Sequence, residues 1–140
     1  MDNKEVDITY VGHSTYIVET KDGTRLLIDP WLKNNPACPE NLQEPRDIDY
    51  ILITHGHFDH IGDLFPACEL NKEAKIITSI EISTWLNAKG IPNTLPMGIG
   101  GTQPIDNDIK VTMVNAVHAS GIADESSEAM LYGGVANGFV

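Results

Sequence analysis

Four side chains of metal-binding types stand close together between positions 55 and 60 of this sequence: His55, His57, Asp59 and His60. Residues two apart in an extended segment share a face, so His55, His57 and Asp59 are expected to point into one site. Imidazole and carboxylate groups are ligands of catalytic zinc, which keeps one coordination position for water. The spacing therefore predicts a metal centre, and a coincidence of surface or core histidines is the weaker alternative.

His118 is the candidate for a third ligand of the first cation. It follows segment 109–117, whose alternating pattern predicts a strand that ends at this histidine. Taken alone, His118 is equally consistent with an ordinary core or surface residue, and only its combination with the cluster favours the ligand. The adjacent Asp59 and His60 begin a second site, because two cations about 3.5 to 4 Å apart can clamp both oxygens of a hydrolysis. Asp59 is also the candidate catalytic residue, placed to orient water and to pass a proton to the leaving group.

Two further residues are candidates for supporting the cluster from outside it. His13 follows a predicted strand and either lines the cleft or is a structural hydrogen-bonding residue. Asp29 precedes Pro30 and is either a carboxylate that orients a ligand histidine or a simple turn residue. The residues themselves leave both pairs of alternatives open.

Other conspicuous side chains are expected to be structural. Large aromatic residues are predicted to pack rather than to bind substrate, namely Trp31, Trp85 and Phe58, with substrate contact as the alternative for Trp31 because it opens the Pro-rich loop. A short acidic run is predicted to be a solvated loop, with Asp124 not serving as a bridging ligand; its members are Asp124, Glu125 and Glu128.

The elements that must position these residues follow from hydrophobic periodicity and turn chemistry. Strands are predicted over 5–10, 14–20, 25–28, 49–54, 75–78, 109–117 and 133–140. The Asp22-Gly23 pair predicts a hairpin. Short helices are predicted over 62–67 and around Ile82, Trp85 and Leu86, the second ending at Gly90. Segment 30–45 is predicted to be a long loop of the kind that often serves as a lid, and 97–104 to be rich in turns.

The cluster resembles the metal motif of a known family. Thr54 to His60, read as T-H-x-H-x-D-H and followed by Ile61-Gly62-Asp63, resembles the motif of the metallo-β-lactamase superfamily. Segments 11–15, 27–30, 35–36 and 117–121 are similar to its branch of cytoplasmic metal-dependent hydrolases near the ascorbate-6-phosphate lactonases. The resemblance covers nearly the whole chain and implies an α/β fold, the αββα sandwich of that superfamily.

The resemblance also implies a ligand set. His55, His57 and His118 would hold the first cation, and Asp59 and His60 would begin the second. The family completes the second site with a bridging Asp in a G-D-T turn and a later His, and neither is found in this sequence. Residues 1–140 are therefore expected to be one domain that is incomplete at its C-terminus, the N-terminal part of the sandwich.

Composition limits the partners. The formal net charge is −11 with only nine Lys and Arg residues, which argues against nucleic acid and against anionic membranes. Cys38 and Cys68 have no disulfide or zinc spacing, and no apolar run approaches the ~20 residues of a membrane span. A soluble, cytoplasmic protein with a small-molecule substrate is expected.

The expected function is hydrolysis of an ester, lactone, amide or phosphodiester of a small molecule by metal-activated hydroxide. The expected cofactors are two divalent cations for each complete site, zinc first, with manganese, iron or nickel as alternatives. One alternative function is that of an inactive metal-binding fragment or subunit that needs a partner chain. Another is that of an RNA-processing nuclease of the same superfamily, which the sparse basic charge disfavours.

Assembly is predicted from the end of the chain. The strand over 133–140 stops without a polar tail, so the missing half of the sandwich would leave several apolar side chains in water: Val6, Ile8, Ile51, Ile53, Val111 and Met113. Each exposed side chain of this kind forfeits roughly 1.5 to 3 kcal/mol. A homo-oligomer, or pairing with a C-terminal segment, is therefore expected.

Overall fold

The computed structural model of the chain describes residues 6–105, 109–124, 126 and 128–140. Its strands are β1 (Asp7–Gly12), β2 (Thr15–Glu19), β3 (Arg25–Ile28), β4 (Tyr50–Leu52), β5 (Lys75–Ser79), β6 (Thr94–Met97), β7 (Thr102–Pro104), β8 (Lys110–Asn115), β9 (Gly121–Ala123), β10 (Met130–Tyr132) and β11 (Asn137–Phe139). Its helices are α1 (Phe58–Ile61), α2 (Leu64–Leu70) and α3 (Ile80–Ala88), and a 3-10 turn spans Glu40–Leu42.

The main sheet contains the first six strands in sequence order, β1 to β6. The first three pair antiparallel, and the Asp-Gly turn predicted between β2 and β3 is confirmed, with Gly23 at a φ of 88°. From β3 to β6 the pairs are parallel, with α1 and α2 crossing from β4 to β5 and α3 crossing from β5 to β6. Because parallel strands end at the same edge, residues that follow β3, β4 and β5 lie close together.

Both faces of the main sheet are covered by the chain itself. Successive residues of a strand point to opposite faces. Ile51 and Ile53 pack with the helices in one core. Leu52, which points to the opposite face, packs in a second core with Val111 and Met113. Val111 and Met113 belong to β8, the middle strand of a small sheet ordered β11-β8-β7. The described residues thus form a helical layer, the main sheet and a small second sheet, which confirms the α/β class.

Helix α3 is stabilised at both ends by local signals. Its N-cap, Ser79, accepts a hydrogen bond at its side-chain oxygen from the backbone N–H of Ile82 (3.3 Å). Gly90 follows the last turn with a φ of 86°, the conformation that ends many helices. The helix predicted around Ile82 is therefore confirmed. The helix predicted over 62–67 corresponds to α2, which begins at Leu64 and ends at Leu70, whereas α1 was not predicted.

The predicted exposure of six apolar side chains is wrong for four of them. Ile51, Ile53, Val111 and Met113 are at most 5% exposed, because the helices and the small sheet already cover them. Strand β1 also departs from the prediction of a half-buried strand. It lies at the edge of the sheet, where its apolar residues Ile8 and Tyr10 are 67% and 59% exposed, and Val6 just before it is 54% exposed.

Four strands were not predicted. Strands β6 and β7 each contain a proline, and β7 follows the glycines at 98, 100 and 101, a composition typical of turns. The last strand covers only Asn137–Phe139 of the predicted range 133–140. Strands β9 and β10 are three residues each and pair only with one another. None of the described helices is both long enough and apolar enough to cross a membrane.

Candidate metal centre

The histidine cluster lies at the edge of the main sheet where the parallel strands end. After β4 the backbone N–H of Ile53 still bonds to the carbonyl of Ile77 (3.0 Å), and the chain then leaves the sheet at Thr54. His57 is the N-cap residue of α1 and has extended backbone angles. Asp59 and His60 lie on α1 itself. The extended segment predicted for the cluster therefore ends at His57, and a helical turn presents the last two side chains.

His55, His57 and His118 form the first of three groups with converging ligand atoms. Within each group these atoms lie within 4.8 Å of one another. His55 Nε2 and His57 Nδ1 are 3.1 Å apart, and the His118 ring centroid is 4.8 and 5.0 Å from those of His55 and His57. Two nitrogen ligands of a tetrahedral zinc, each about 2.0 to 2.1 Å from it, stand about 3.3 Å apart. The three rings therefore fit a shared cation.

His118 reaches this group from a loop rather than from a strand end. Strand β8 ends at Asn115, and the backbone N–H of His118 donates to the carbonyl of Ala116 (3.2 Å) in the turn that follows. The prediction that His118 ends a strand is wrong by this short turn. The side chain is exposed, in contrast to the buried His55.

The second group is formed by His13, Asp59 and His60, and the third by Asp29, His55 and His60. Asp59 Oδ2 is 2.9 Å from His13 Nε2, and Asp59 Oδ1 is 4.0 Å from His60 Nε2. The ring centroids of His55 and His60 are 3.9 Å apart. The third group shares His55 with the first and His60 with the second, so the three groups form one continuous cluster.

Asp29 sets the hydrogen-bonding state of two imidazoles. Its carboxylate is 1% exposed and accepts bonds from the Thr54 backbone N–H (2.8 Å), the Thr54 hydroxyl (2.6 Å) and His60 Nδ1 (2.8 Å). Since the Thr54 hydroxyl hydrogen is given to Asp29, its oxygen accepts from His55 Nδ1 at 2.9 Å. Both rings then carry their proton on Nδ1, and Nε2 of each is left with a lone pair, as a metal ligand requires.

These hydrogen bonds favour the first interpretation of Asp29, a carboxylate that orients ligand histidines. Asp29 also lies in the bend before Pro30. Its φ of 46° is left-handed, as is that of His13 at 55°. For an L-amino acid this conformation costs roughly 1 to 2 kcal/mol. Thr54 was missed as a supporting residue, and its position directly before the first motif histidine was the available signal.

Burial keeps His55 in the neutral form. Desolvation, followed by the nearby rings of His60, His57 and His118, lowers the pKa of His55 from 6.5 to about 4. Neutral imidazole is the form that binds metals. The buried ring is therefore ready to accept a cation at neutral pH without first losing a proton.

Acidification is expected to destabilise the metal-free chain through His55. The folded-state pKa is about 4 and the unfolded value 6.5, so the unfolded chain binds more protons between these pH values. The free energy of unfolding should therefore fall as the pH is lowered through this window, and the contribution is absent above it. Urea unfolding with chelator at about pH 7 and about pH 5 measures the loss. His55→Gln should reduce the pH dependence, and an unchanged dependence in that variant contradicts the assignment.

A close backbone contact joins the two parts of the first group. The Gly56 backbone N–H donates to Ser120 Oγ (3.3 Å), and Ser120 Oγ donates to the carbonyl of Gly133 (2.9 Å). A Cβ at Gly56 would stand 2.6 Å from Ile122 Cγ1 and 3.1 Å from the carbonyl oxygen of Gly121. Gly56 is thus required for contact with the loop after His118, in addition to any freedom it gives the chain between the two histidines.

Asp124 corrects the prediction of a solvated acidic loop. It is 7% exposed and accepts from Lys89 Nζ, Trp85 Nε1 and the Ser126 backbone N–H, each at 2.8 Å. These bonds, that of Lys89 first, hold the pKa of Asp124 below its usual range. Glu128 is exposed, as predicted, and Glu125 lies outside the described residues. Asp124 therefore anchors the loop after His118 to α3.

The aromatic side chains divide between packing and exposure. Trp85 is partly buried and packs edge-on against Phe65 with ring centroids 5.5 Å apart, as predicted. Trp31 packs edge-on against His13 and Phe58, at 5.4 and 6.0 Å. Phe58 was expected to be a packing residue but is 68% exposed. A cavity of about 630 Å³ lies next to it, and its lining includes Gly56, Phe58, Ile61, Phe65, Trp85 and Lys89.

Comparison with known proteins identifies relatives of this arrangement. The model of the metallo-beta-lactamase superfamily matches residues 8–125. A UPF0173 metal-dependent hydrolase of Koribacter versatilis is 48% identical over 100% of this chain and 58% of its own length. One of Rubrobacter xylanophilus is 44% identical over 95% of this chain and 54% of its own. Igni18, described as a novel metallo hydrolase from Ignicoccus hospitalis, is 31% identical with a TM-score of 0.74, covering 96% of this chain and 55% of Igni18. The chain spans little more than half the length of these proteins.

Proposed function

This chain belongs to the metallo-β-lactamase superfamily, and from that membership we propose that it contributes the metal centre of a metal-dependent hydrolase. The observation that carries the proposal is the convergence of the three groups of ligand atoms at one sheet edge. Relatives named as metal-dependent hydrolases support the reaction class. The chain spans 58% and 54% of the length of these two relatives, so the activity of a whole protein of that length is part of the proposal.

The residues divide between two cations in this proposal. His55, His57 and His118 hold the first, and Asp59 and His60 supply ligands to the second. When bound, divalent cations lower the pKa of a coordinated water to about 7 and polarise the substrate oxygen. Zinc is proposed because imidazole and carboxylate groups suit it, and manganese, iron and nickel accept the same donors.

The protein side chains orient the reacting groups. Asp29 keeps the Nε2 atoms of His55 and His60 directed into the centre through the hydrogen bonds at Thr54 Oγ1 and His60 Nδ1. Asp59 presents Oδ1 towards His60 at 4.0 Å, and its carboxylate is the proposed acceptor that orients water and moves a proton to the leaving group. Asp59 is partly exposed and His118 is exposed, which leaves the centre open on the side where substrate would approach.

We infer a small-molecule substrate with an ester, lactone, amide or phosphodiester bond. The cavity of about 630 Å³ next to Phe58 is within the size range of small-molecule sites, and its aromatic lining suits an organic molecule. Lys89 in this lining is already paired with Asp124, so the cavity by itself favours neither sign of charge. A net charge of −11 gives little support to an RNA substrate, which makes the nuclease alternative the weaker one.

A second candidate is a metal-binding chain that is inactive until other residues complete it. It is supported by the lengths of the relatives, of which this chain covers 58% and 54%. Such residues would come from a C-terminal segment or from a second copy. Strand β1 lies at the edge of the main sheet and has exposed apolar side chains, so either could pair with it. The two candidates share the first cation site and differ in turnover.

Hydrolysis assays on the 140-residue chain are expected to show slow, metal-dependent turnover of generic lactone and phosphodiester substrates, far below the ~10 per second of typical enzymes. The physical reason is that only Asp59 and His60 are available for the second cation among the predicted ligands. The measurement compares the chain with zinc, the chain with chelator and the His57→Ala variant. Turnover that survives in chelator or in His57→Ala contradicts a metal-dependent hydrolase. A complete absence of turnover in a chain that binds metal favours the second candidate.

A further inference from the structure

His13 has a backbone conformation that its surroundings must enforce. Three non-glycine residues in the described part of the chain have a positive φ, namely His13, Asp29 and Asp47. Asp29 adjoins the centre and orients two of its histidines, whereas Asp47 is exposed and precedes β4, at the opposite edge of the sheet. Left-handed residues of this kind persist where packing imposes them, and they cluster at functional sites.

The His13 side chain is fixed by contacts on three sides although it is 41% exposed. Its ring stands edge-on to Trp31, with centroids 5.4 Å apart, and at 67° to the ring of His60, with centroids 5.2 Å apart. Its Nε2 atom is 2.9 Å from Asp59 Oδ2. A histidine that served only to turn the chain would have no need of this placement.

The two oxygens of Asp59 face different partners. Oδ2 lies at hydrogen-bonding distance from His13, while Oδ1 is 4.0 Å from His60 Nε2, too far for a hydrogen bond. This separation is wider than the ~3.3 Å between two ligand atoms of a tetrahedral zinc, so Asp59 Oδ1 and His60 Nε2 face one another without a direct bond and would move closer by about 0.7 Å to share a cation. A donor on Oδ2 fixes which oxygen is turned towards His60.

We propose that His13 is a positioning residue for the second cation: it donates its Nε2 hydrogen to Asp59 Oδ2 and so holds Asp59 Oδ1 opposite His60. The inference rests on the two-cation centre of the proposed function. The left-handed backbone at His13 is what brings the ring over Asp59. His13 belongs to the second group of converging ligand atoms, but in this proposal it is not itself a ligand, since an Nε2 that donates to Asp59 has no lone pair left for a cation.

Three variants separate donation from coordination and from backbone strain. His13→Gly relieves the strained φ and removes the donor. His13→Gln keeps an N–H donor at a similar reach but cannot replace a ligating imidazole. Asp47→Gly relieves the same kind of backbone strain far from the centre and is the matched control.

Titration of the 140-residue chain with Co²⁺, followed by visible absorption and metal analysis, tests the proposal. We expect His13→Gly to weaken binding of the second equivalent by about 10- to 100-fold, the usual effect of losing a residue that orients a ligand, with the first equivalent unchanged. His13→Gln should stay within about threefold of the wild-type chain, and Asp47→Gly should match it. An unchanged second equivalent in His13→Gly overturns the proposal. A loss in His13→Gln as large as that in His13→Gly also overturns it, since it points to coordination.

Nitrogen-15 NMR of the histidine rings supplies a readout that does not depend on how many cations bind. Nε2 of His13 should carry the hydrogen, and Asp59→Asn should shift its resonance. A His13 ring protonated only on Nδ1 overturns the proposal. A wild-type chain that binds a single Co²⁺ contradicts the two-cation centre of the proposed function. In that case the position of the ring hydrogen still tests whether His13 donates to Asp59.

Discussion

Replacement of His57 by alanine is expected to abolish tight binding of the first cation. His57 Nδ1 stands 3.1 Å from His55 Nε2, and its loss leaves two imidazoles where three converge. Loss of a residue that merely orients a ligand costs about 10- to 100-fold in affinity, so loss of a ligand should cost more than about 100-fold. Metal analysis after purification without chelator, repeated with added zinc or manganese, measures the effect.

The control for this experiment is His13→Ala, which lies outside the first group and should retain the first equivalent. Two results contradict the first site. One is a wild-type chain that holds less than about a tenth of an equivalent with zinc or manganese present. The other is equal loss of metal in the two variants.

Gly56→Ala is expected to disrupt the centre without changing any ligand. The new Cβ would stand 2.6 Å from Ile122 Cγ1 and 3.1 Å from the Gly121 carbonyl oxygen, so the loop after His118 must move. Overpacking of this kind costs about 1 to 3 kcal/mol of stability. Because this loop follows His118 directly, its displacement should also move the His118 ring and lower the affinity for the first cation. Urea unfolding of the metal-free chain and a zinc titration measure the two effects separately.

Gly98→Ala is the matched control, since nothing lies within 4 Å of a Cβ at that position and its φ is not left-handed. It should leave both stability and zinc affinity close to those of the wild-type chain. A Gly56→Ala variant that is indistinguishable from Gly98→Ala shows that the loop yields without cost, and Gly56 is then not required for contact between the two parts of the first group.

The parts of the fold that the sequence predicts are those set by local patterns. Strand β3 has the predicted bounds, Arg25–Ile28, because a compact apolar run follows an Asp-Gly turn. The family and its α/β fold follow from the motif around His55. Strands β6 and β7 could not be found in this way. They contain Pro96 and Pro104, and they form because β5 and β8 pair with them, an effect of context that overrides local propensity.

The sequence predicted which residues form the site but not the hydrogen bonds that link them. Spacing placed His55 and His57 together, and the strand predicted over 109–117 added His118 as the third candidate ligand. The sequence could not show that Thr54 links Asp29 to His55, because that link forms only where the ends of β3 and β4 meet at one edge of the sheet. The burial of Asp124 was missed for a related reason: its partners are far away in sequence, Trp85 on α3 and Lys89 at the C-cap of that helix. The metal assignments themselves stay predictions until the titrations are made.

The first group takes its side chains from two layers of the molecule. His55 and His57 follow β4 of the main sheet, whereas His118 follows β8 of the small sheet packed on the other side of that core. A cation held by all three rings is therefore a cross-link, comparable to a disulfide, between segments far apart in sequence. Closing such a loop restricts the unfolded chain and fastens the small sheet to the main one. The affinity for the cation then depends on how stably the small sheet packs on the main sheet. Substitutions in the second core should therefore change metal affinity even where they do not contact the ion.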